Sequence, residues 1–415
     1  MNKLPCIAVV GAGASGLMAA VQAAKQAEKM NRQVKIILYE GNARAGKKIL
    51  ATGNGRCNLT NLNMTDKFYF GSIDSFNAVY PQFDNKALID FFADTGMAVR
   101  SDAAGRVYPL SNQASSVLDA LRFEIERLGV EIVTETKITS IKKSGDGFLL
   151  NGEYYADKCI LACGGKACPV HGSDGSGYAL LKSLGIAVTD VFPALTAIEI
   201  KDFTKSLKGI RAEGCITVKS AGKVLARSRG ELQYTDYGIS GIPAMQVSRS
   251  ISEMLYGGKK ADIFVCVDSV PSMSADELHD FLMNIIRRNP SLPCEMLLAG
   301  LMPKRLGAYL LSEVSINPAK ALSSVNAGAV EKIVAAVKNK KYRPFAVKGF
   351  NDAQITAGGA DMNGFYADTL ESKKLKGLFV CGELADVDGD CGGYNLQWAF
   401  SSGYVAGINA VRGLK

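Results

Sequence analysis

The chain has 415 residues, enough for two or three domains, and its 47% hydrophobic and 21% charged residues exclude a disordered chain. Its 43 glycines against 12 prolines point to tight turns and close backbone approaches rather than low complexity. The net charge of +8 sits in short scattered clusters such as Lys47-Lys48, Lys259-Lys260 and Lys373-Lys374. A single basic face interleaved with aromatics is missing, which argues against nucleic acid as a partner.

Ten cysteines are scattered without a Cys-x-x-Cys pair, so no metal site is expected. They read as buried thiols in a reducing compartment. No apolar run reaches the roughly 18 residues of a membrane span. The expectation is a cytoplasmic protein acting on a small molecule.

In chain order, residues 7–10 read as a buried strand, 11–16 as a glycine turn, 17–30 as a helix and 34–39 as a second strand. Gly11 permits the tight turn, Gly13 lets the backbone approach a pyrophosphate, and Gly16 lets helix pack on strand. Ala14 and Ser15 open the helix, whose N–H groups and dipole face the phosphates. Glu40, closing the second strand, is placed to accept from ribose hydroxyls and would repel a 2′-phosphate. Turn, strands and acid together specify dinucleotide binding, but FAD and NAD share this start.

The next segment separates them. Gly41, Arg44, Lys48, Gly55, Arg56, Cys57 and Asn58 lie in a basic, glycine-rich excursion suited to a cofactor larger than NAD. Its Arg44, Lys48 and Arg56 can neutralise a diphosphate, and Arg56 can also face a flavin ring. Helices are expected at 86–94 and 115–128 and a β-meander at 133–150. An apolar strand at 158–162 follows, closing in Ala162, Cys163 and Gly164. From 193 the pattern changes to strands at 195–200, 214–218, 223–225, 232–234 and 262–267. Helices at 275–288, 294–301, 306–314 and 330–337 come next, and the first domain resumes at 344. A strand at 377–381 ends in Gly382 and Glu383, followed by Asp386. Asn395, Leu396 and Gln397 lead into a helix starting near 397, a second site for backbone N–H groups.

These marks resemble the two-dinucleotide-binding-fold flavoproteins. More narrowly, TGNGRCNLTN (52–61), GRVYPLSNQASSV (105–117), YTDYGISGIP (234–243) and CGELADVDGDCGGYNLQWAFSSGYVAG (381–407) resemble the bacterial family of aminoacetone oxidase and BaiN-type 3-dehydro-bile-acid reductases. The resemblance runs nearly end to end. It implies an α/β fold: a discontinuous Rossmann-like FAD-binding domain (1–192 and 344–415) with an inserted β-barrel-like and helical substrate domain (193–343). FAD is expected noncovalently, and NAD(P)H as a transient reductant without its own domain. Three departures stand out. Asp236 occupies a position where the family carries histidine, Tyr108 replaces phenylalanine, and Cys163 replaces threonine.

The flavin performs the redox step, so the protein is expected to supply orientation, a dry pocket and a proton donor. His171 follows the flavin-strand glycines and is a candidate to face the active site, whereas His279 reads as surface. Tyr108, Tyr237 and Tyr394 are candidate neutral proton donors; no residue is assigned as catalytic. Three functions compete: reduction of a conjugated double bond in a 3-oxo steroid or bile-acid-like substrate, oxidation of a small amine by oxygen, and an RNA-linked or non-catalytic flavoprotein role. The oligomeric state is not legible.

Overall fold

A computed structural model describes residues 4–257 and 262–414, so the Lys259-Lys260 pair lies outside the described residues. The chain divides into two compact units. One comprises the residues up to Phe192 together with those from Gln354 onward; the other is Pro193–Ala353.

The first unit is built on strand β1 (Cys6–Val10), helix α1 (Ala14–Lys29), β2 (Lys35–Tyr39), α2 (Ala114–Arg127), β3 (Glu131–Val133), β4 (Lys158–Leu161), β5 (Leu378–Val380) and α3 (Tyr394–Arg412). The strands form one parallel sheet in the order β5-β4-β1-β2-β3. Both faces are covered, as a parallel sheet requires. On β1, Ile7 and Val9 enter the core beneath α1, while Ala8 and Val10 enter the core on the opposite face. Val10 lies opposite Tyr39 and Leu161, so the carboxyl ends of the three central strands lie side by side.

Two differences from the expected elements have local causes. The meander expected at 133–150 lies at 141–156, as Ile141–Ser144, Gly147–Leu150 and Tyr154–Ala156, and Val133 instead ends β3, which pairs with β2 as the edge strand of the five-stranded parallel sheet. Helix α3 starts at Tyr394 rather than near 397, because Gly393 takes the left-handed φ of 99° that reverses the chain into the helix.

The second unit holds a seven-stranded antiparallel sheet in the order Lys340–Tyr342, Ile263–Asp268, Arg211–Ser220, Lys223–Tyr234, Gly238–Ser240, Ile198–Ile200, Pro344–Val347. Its two edge strands are separated in the chain by Arg343 alone, so the sheet curls until its edges approach, as in a barrel. The pairing of Pro344–Val347 with Ile198–Ile200 keeps residues 344–353 in this unit, which moves the return to the first unit from 344 to Gln354. Helices Ile242–Tyr256, Ala275–Arg288, Lys304–Glu313 and Ala327–Lys338 accompany the sheet. The helix expected at 294–301 is one 3₁₀ turn, Cys294–Met296, between Pro293 and Pro303.

Candidate functional site: a dinucleotide cavity in the first unit

A cavity of about 330 Å³ opens at the carboxyl ends of β1, β2 and β4, within the size range of small-molecule sites. Its floor is the glycine turn. Gly11 has φ of +104° and donates to Tyr39 O at 2.8 Å; a Cβ there would lie 2.5 Å from Ala162 O. At Gly13 a Cβ would meet nothing within 4 Å, so the backbone faces open space. Gly16 serves the scaffold instead: a Cβ there would lie 1.8 Å from Gly11 O.

Helix α1 starts at this floor without a side-chain cap, and so does α3, whose Asn395, Leu396, Trp398 and Ala399 form part of the wall. Two sets of helix N-terminal N–H groups therefore border one cavity, a setting that favours anionic and carbonyl oxygen. Glu40 is buried in the wall, and its carboxylate organises the turn. Oε2 accepts from Ala12 N at 2.9 Å, while Oε1 accepts from Asn42 N at 2.8 Å and from Asn42 Nδ2 at 2.6 Å.

The basic excursion divides its labour. Arg44 stands exposed on the wall with no ion pair among the described residues. Lys48 also lines the cavity, but it is committed to Glu383 at 2.7 Å and to Ala167 O at 3.1 Å. Glu383 in turn accepts from Thr356 N at 2.9 Å. Gly41, Ala162, Cys163, Gly164 and His171 complete this side, and burial pushes the Cys163 thiol up to about 12, so it stays protonated.

Several residues expected at the cofactor lie outside the cavity wall. Arg56 and Gly55 sit on an exposed loop. The side chain of Cys57 is fully buried in the core beneath α1. Asn58, with its amide oriented to satisfy both neighbours, donates to Thr60 O and accepts from Gly393 N. Gln397 is fully buried and ties Thr60 Oγ1, Phe83 O and Ser401 Oγ together. Gly382 packs under Ser15 and accepts from Trp398 Nε1, and Asp386 O accepts from Ser72 N. None of these residues lines the cavity; apart from the exposed Gly55 and Arg56, they pack or bond behind the chain segments that form its wall.

The candidate proton donors also separate. Tyr394 is buried, stacked on Phe68 and bonded to Asn63 O, and Tyr108 is buried beside the 52–55 loop. In the second unit the Tyr237 ring lies under Lys348 Nζ at 4.1 Å, and Asp236 pairs with Lys208 at 2.8 Å. His279 is partly exposed beside Asp280.

Sequence reading missed the wall formed by Thr136, Lys137, Ile138, Ser173 and Asp174. Lys137 pairs with Asp174 at 2.5 Å. Burial pushes the Asp174 carboxyl up, but bonds from Lys137 and Ser176 outweigh it and hold the group at about 2. The available signal was the end of β3 beside β2, where Thr136 N donates to Glu40 O at 2.8 Å. An open Gly13, two uncapped helix starts, an uncommitted Arg44 and a positioned Glu40 fit the adenine-dinucleotide part of FAD.

The HI0933-like protein Rossmann domain model matches residues 5–409. The chain is 40% identical over 413 residues to the 3-dehydro-bile acid delta(4,6)-reductase of Clostridium scindens, covering 98% of each chain. It is 28% identical over 405 residues to the ribosomal RNA dihydrouridine synthase of Escherichia coli, covering 96% of each, and 27% identical over 418 residues to that of Haemophilus influenzae, covering 97% of this chain and 98% of that one. In fold it is similar to 3-ketosteroid delta1-dehydrogenase from Sterolibacterium denitrificans, with a TM-score of 0.51 at 12% identity over 98% of this chain and 99% of that one. The chain belongs to the HI0933-like family of Rossmann FAD-binding proteins, and it is an FAD-dependent oxidoreductase.

Proposed function

We propose that the protein reduces a carbon–carbon double bond conjugated to the 3-oxo group of a bile-acid-like steroid, with NAD(P)H as the source of electrons. The observation that carries this reading is the near end-to-end likeness to the 3-dehydro-bile acid reductase. FAD, when bound, supplies hydride chemistry, and the conjugated carbonyl makes the β-carbon of the double bond its acceptor. The chain's part is to hold the cofactor noncovalently: the N–H groups of the glycine turn and Arg44 for the phosphates, Glu40 for the ribose, and Glu383, fixed by Lys48 and Thr356 N, at the side of α3. NAD(P)H binds transiently in this reading, since the sequence carries one glycine turn of the dinucleotide type.

A second reading has its own support in the two ribosomal RNA dihydrouridine synthases. Dihydrouridine is uridine with its conjugated ring double bond saturated, so the bond reduced is of the same kind and only the molecule carrying it differs. Anaerobic stopped-flow separates the readings. Flavin bleached by NADH or NADPH and reoxidised by a 3-oxo-4,6-diene steroid is the expected result. Reoxidation by ribosomal RNA alone moves the assignment to the second reading. Bleaching by aminoacetone, with no response to nicotinamide, makes the protein an amine oxidase.

A further inference from the structure

The loop bearing Arg56, which does not line the cavity, forms a different constellation in the first unit. The Arg56 and Arg100 guanidiniums both lie against the ring of Tyr108, their carbons 5.2 Å and 5.3 Å from its centroid. Each is oriented by a neutral acceptor: Arg56 Nε by Gly53 O at 3.3 Å, and Arg100 Nε by Asn112 Oδ1 at 3.1 Å. Neither has a carboxylate partner among the described residues. Their neighbour Arg106 does, since Asp102 holds it at 2.8 Å, so the local acid is already committed.

The arrangement is built rather than incidental. Tyr108 is buried, and its strand pairs with that of Arg100, residue opposite residue. The loop carrying Arg56 holds left-handed backbone at Gly53, Asn54 and Gly55 (φ 56°, 55° and 81°) and again at Cys57 (φ 57°). The two glycines take this conformation freely and asparagine tolerates it, so the cost falls on Cys57, whose side chain is held in the core. The loop also adjoins the cofactor cavity. Thr52 lines the wall, and a Cβ on the next residue, Gly53, would lie 3.7 Å from the Tyr108 ring. Two guanidiniums beside one ring, neither paired with a carboxylate, leave a local excess of positive charge, and each can offer planar, charge-assisted bonds to an oxyanion.

We infer that Arg56 and Arg100, mounted on Tyr108, bind the carboxylate of an acidic substrate. This rests on the reading above, in which the substrate is a steroid acid whose carboxylate lies at the opposite end from the 3-oxo group that is conjugated to the reacting bond. The site then selects acids over neutral steroids of the same ring system.

The test compares holoenzyme carrying Arg56→Gln or Arg100→Gln with the wild type, after the flavin spectrum has shown that FAD is retained. A 3-oxo-4-ene bile acid and its methyl ester serve as substrates. Cholate, which has no bond to reduce, serves as a binding probe read by calorimetry. The ratio of kcat/KM for acid over ester is expected to fall about 10- to 100-fold in either variant, through KM, with cholate affinity falling to a similar degree. Losses that are equal for acid and ester overturn the inference, as does cholate binding that ignores both arginines or is absent. If the wild type binds cholate through the arginines but reduces no steroid, the reductase reading fails and the anion site stands. An oligoribonucleotide that alone shows the arginine dependence overturns the carboxylate assignment.

Discussion

Glu40 shows how one carboxylate can act twice. It accepts from Ala12 N and from Asn42, which shapes the turn, and it remains on the cavity wall where a ribose is expected. Glu40→Ala removes both contributions while leaving the sheet intact. FAD retention is expected to fall about 10- to 150-fold, the worth of bonds to a charged acceptor. The absorption spectrum of the flavin that remains bound should not move, because the residue is assigned to the adenosine end. Equilibrium dialysis with spectra of the bound fraction checks both statements, and a large spectral shift at unchanged affinity would refute the placement. The same scale shows where sequence reasoning stops. The glycine turn and Glu40 were legible because their chemistry needs those residue types at that spacing. Cys57, Asn58 and Gln397 sit in equally distinctive motifs, yet they pack or bond behind the wall. A motif specifies a neighbourhood, and which residues in it face the ligand depends on long-range contacts such as that of Gln397 Nε2 with Phe83 O.

At the scale of elements, the site depends on how closely three helices approach. A Cβ on Gly403 or Gly407 of α3 would lie 2.3 Å from Ser15 O or Ala19 O of α1, so the two helices pack backbone to backbone. Gly407→Ala gains about 1 kcal/mol in helix propensity, but it forces the helices apart at a cost of about 1–3 kcal/mol or more. The expected result is a lower Tm with weakened FAD binding, measured by thermal unfolding with and without added FAD; an unchanged or higher Tm would show that the crossing yields easily. Helix α2 is tied to α1 by Glu124, which bonds Arg127 Nε at 2.9 Å and Lys25 at 2.7 Å. The Arg127 bond first, and then Lys25, outweigh burial and hold the Glu124 carboxyl at about 2, below its ordinary 4.5. A depressed carboxyl stabilises the fold above its unfolded value, and that contribution is lost as pH falls through the folded one. Glu124→Gln is therefore expected to lower stability by about 2–3 kcal/mol at pH 7. The gap in Tm should close between roughly pH 4.5 and pH 2, and a gap independent of pH would assign the effect to packing alone. Regular elements with strong periodicity, such as Ala275–Arg288, were legible to the residue. Helix Ile242–Tyr256 was not, because it follows a glycine-rich loop with Pro243 at its start and carries its buried Ala244, Val247 and Ile251 on a narrow stripe.

At the scale of the molecule, the chain leaves the first unit at Phe192 and re-enters it at Gln354. Within that unit the exit and the return lie side by side: Thr189 N donates to Gly359 O at 2.8 Å, Gly359 N donates to Thr189 Oγ1 at 2.9 Å, and a Cβ on Gly358 would lie 2.1 Å from Asp190 O. The cavity wall draws on both halves of the unit, from Gly11 and Glu40 to Glu383 and Trp398, and on no residue of Pro193–Ala353. The change from alternating α/β pattern to consecutive strands made the start of the insertion legible. Its end was placed ten residues early, because only the pairing of Pro344–Val347 with Ile198–Ile200 shows which unit that strand joins. This architecture leads us to propose that cofactor binding belongs to the first unit alone and that turnover requires the second. Replacing Pro193–Ala353 with a short glycine-serine linker should join ends that already lie together, at little cost in loop entropy. The shortened protein is expected to be yellow, to hold one FAD per chain that acid releases, and to reduce no steroid substrate. A colourless but folded product would show that the second unit takes part in holding FAD. Retained turnover would show that the first unit carries the whole active site.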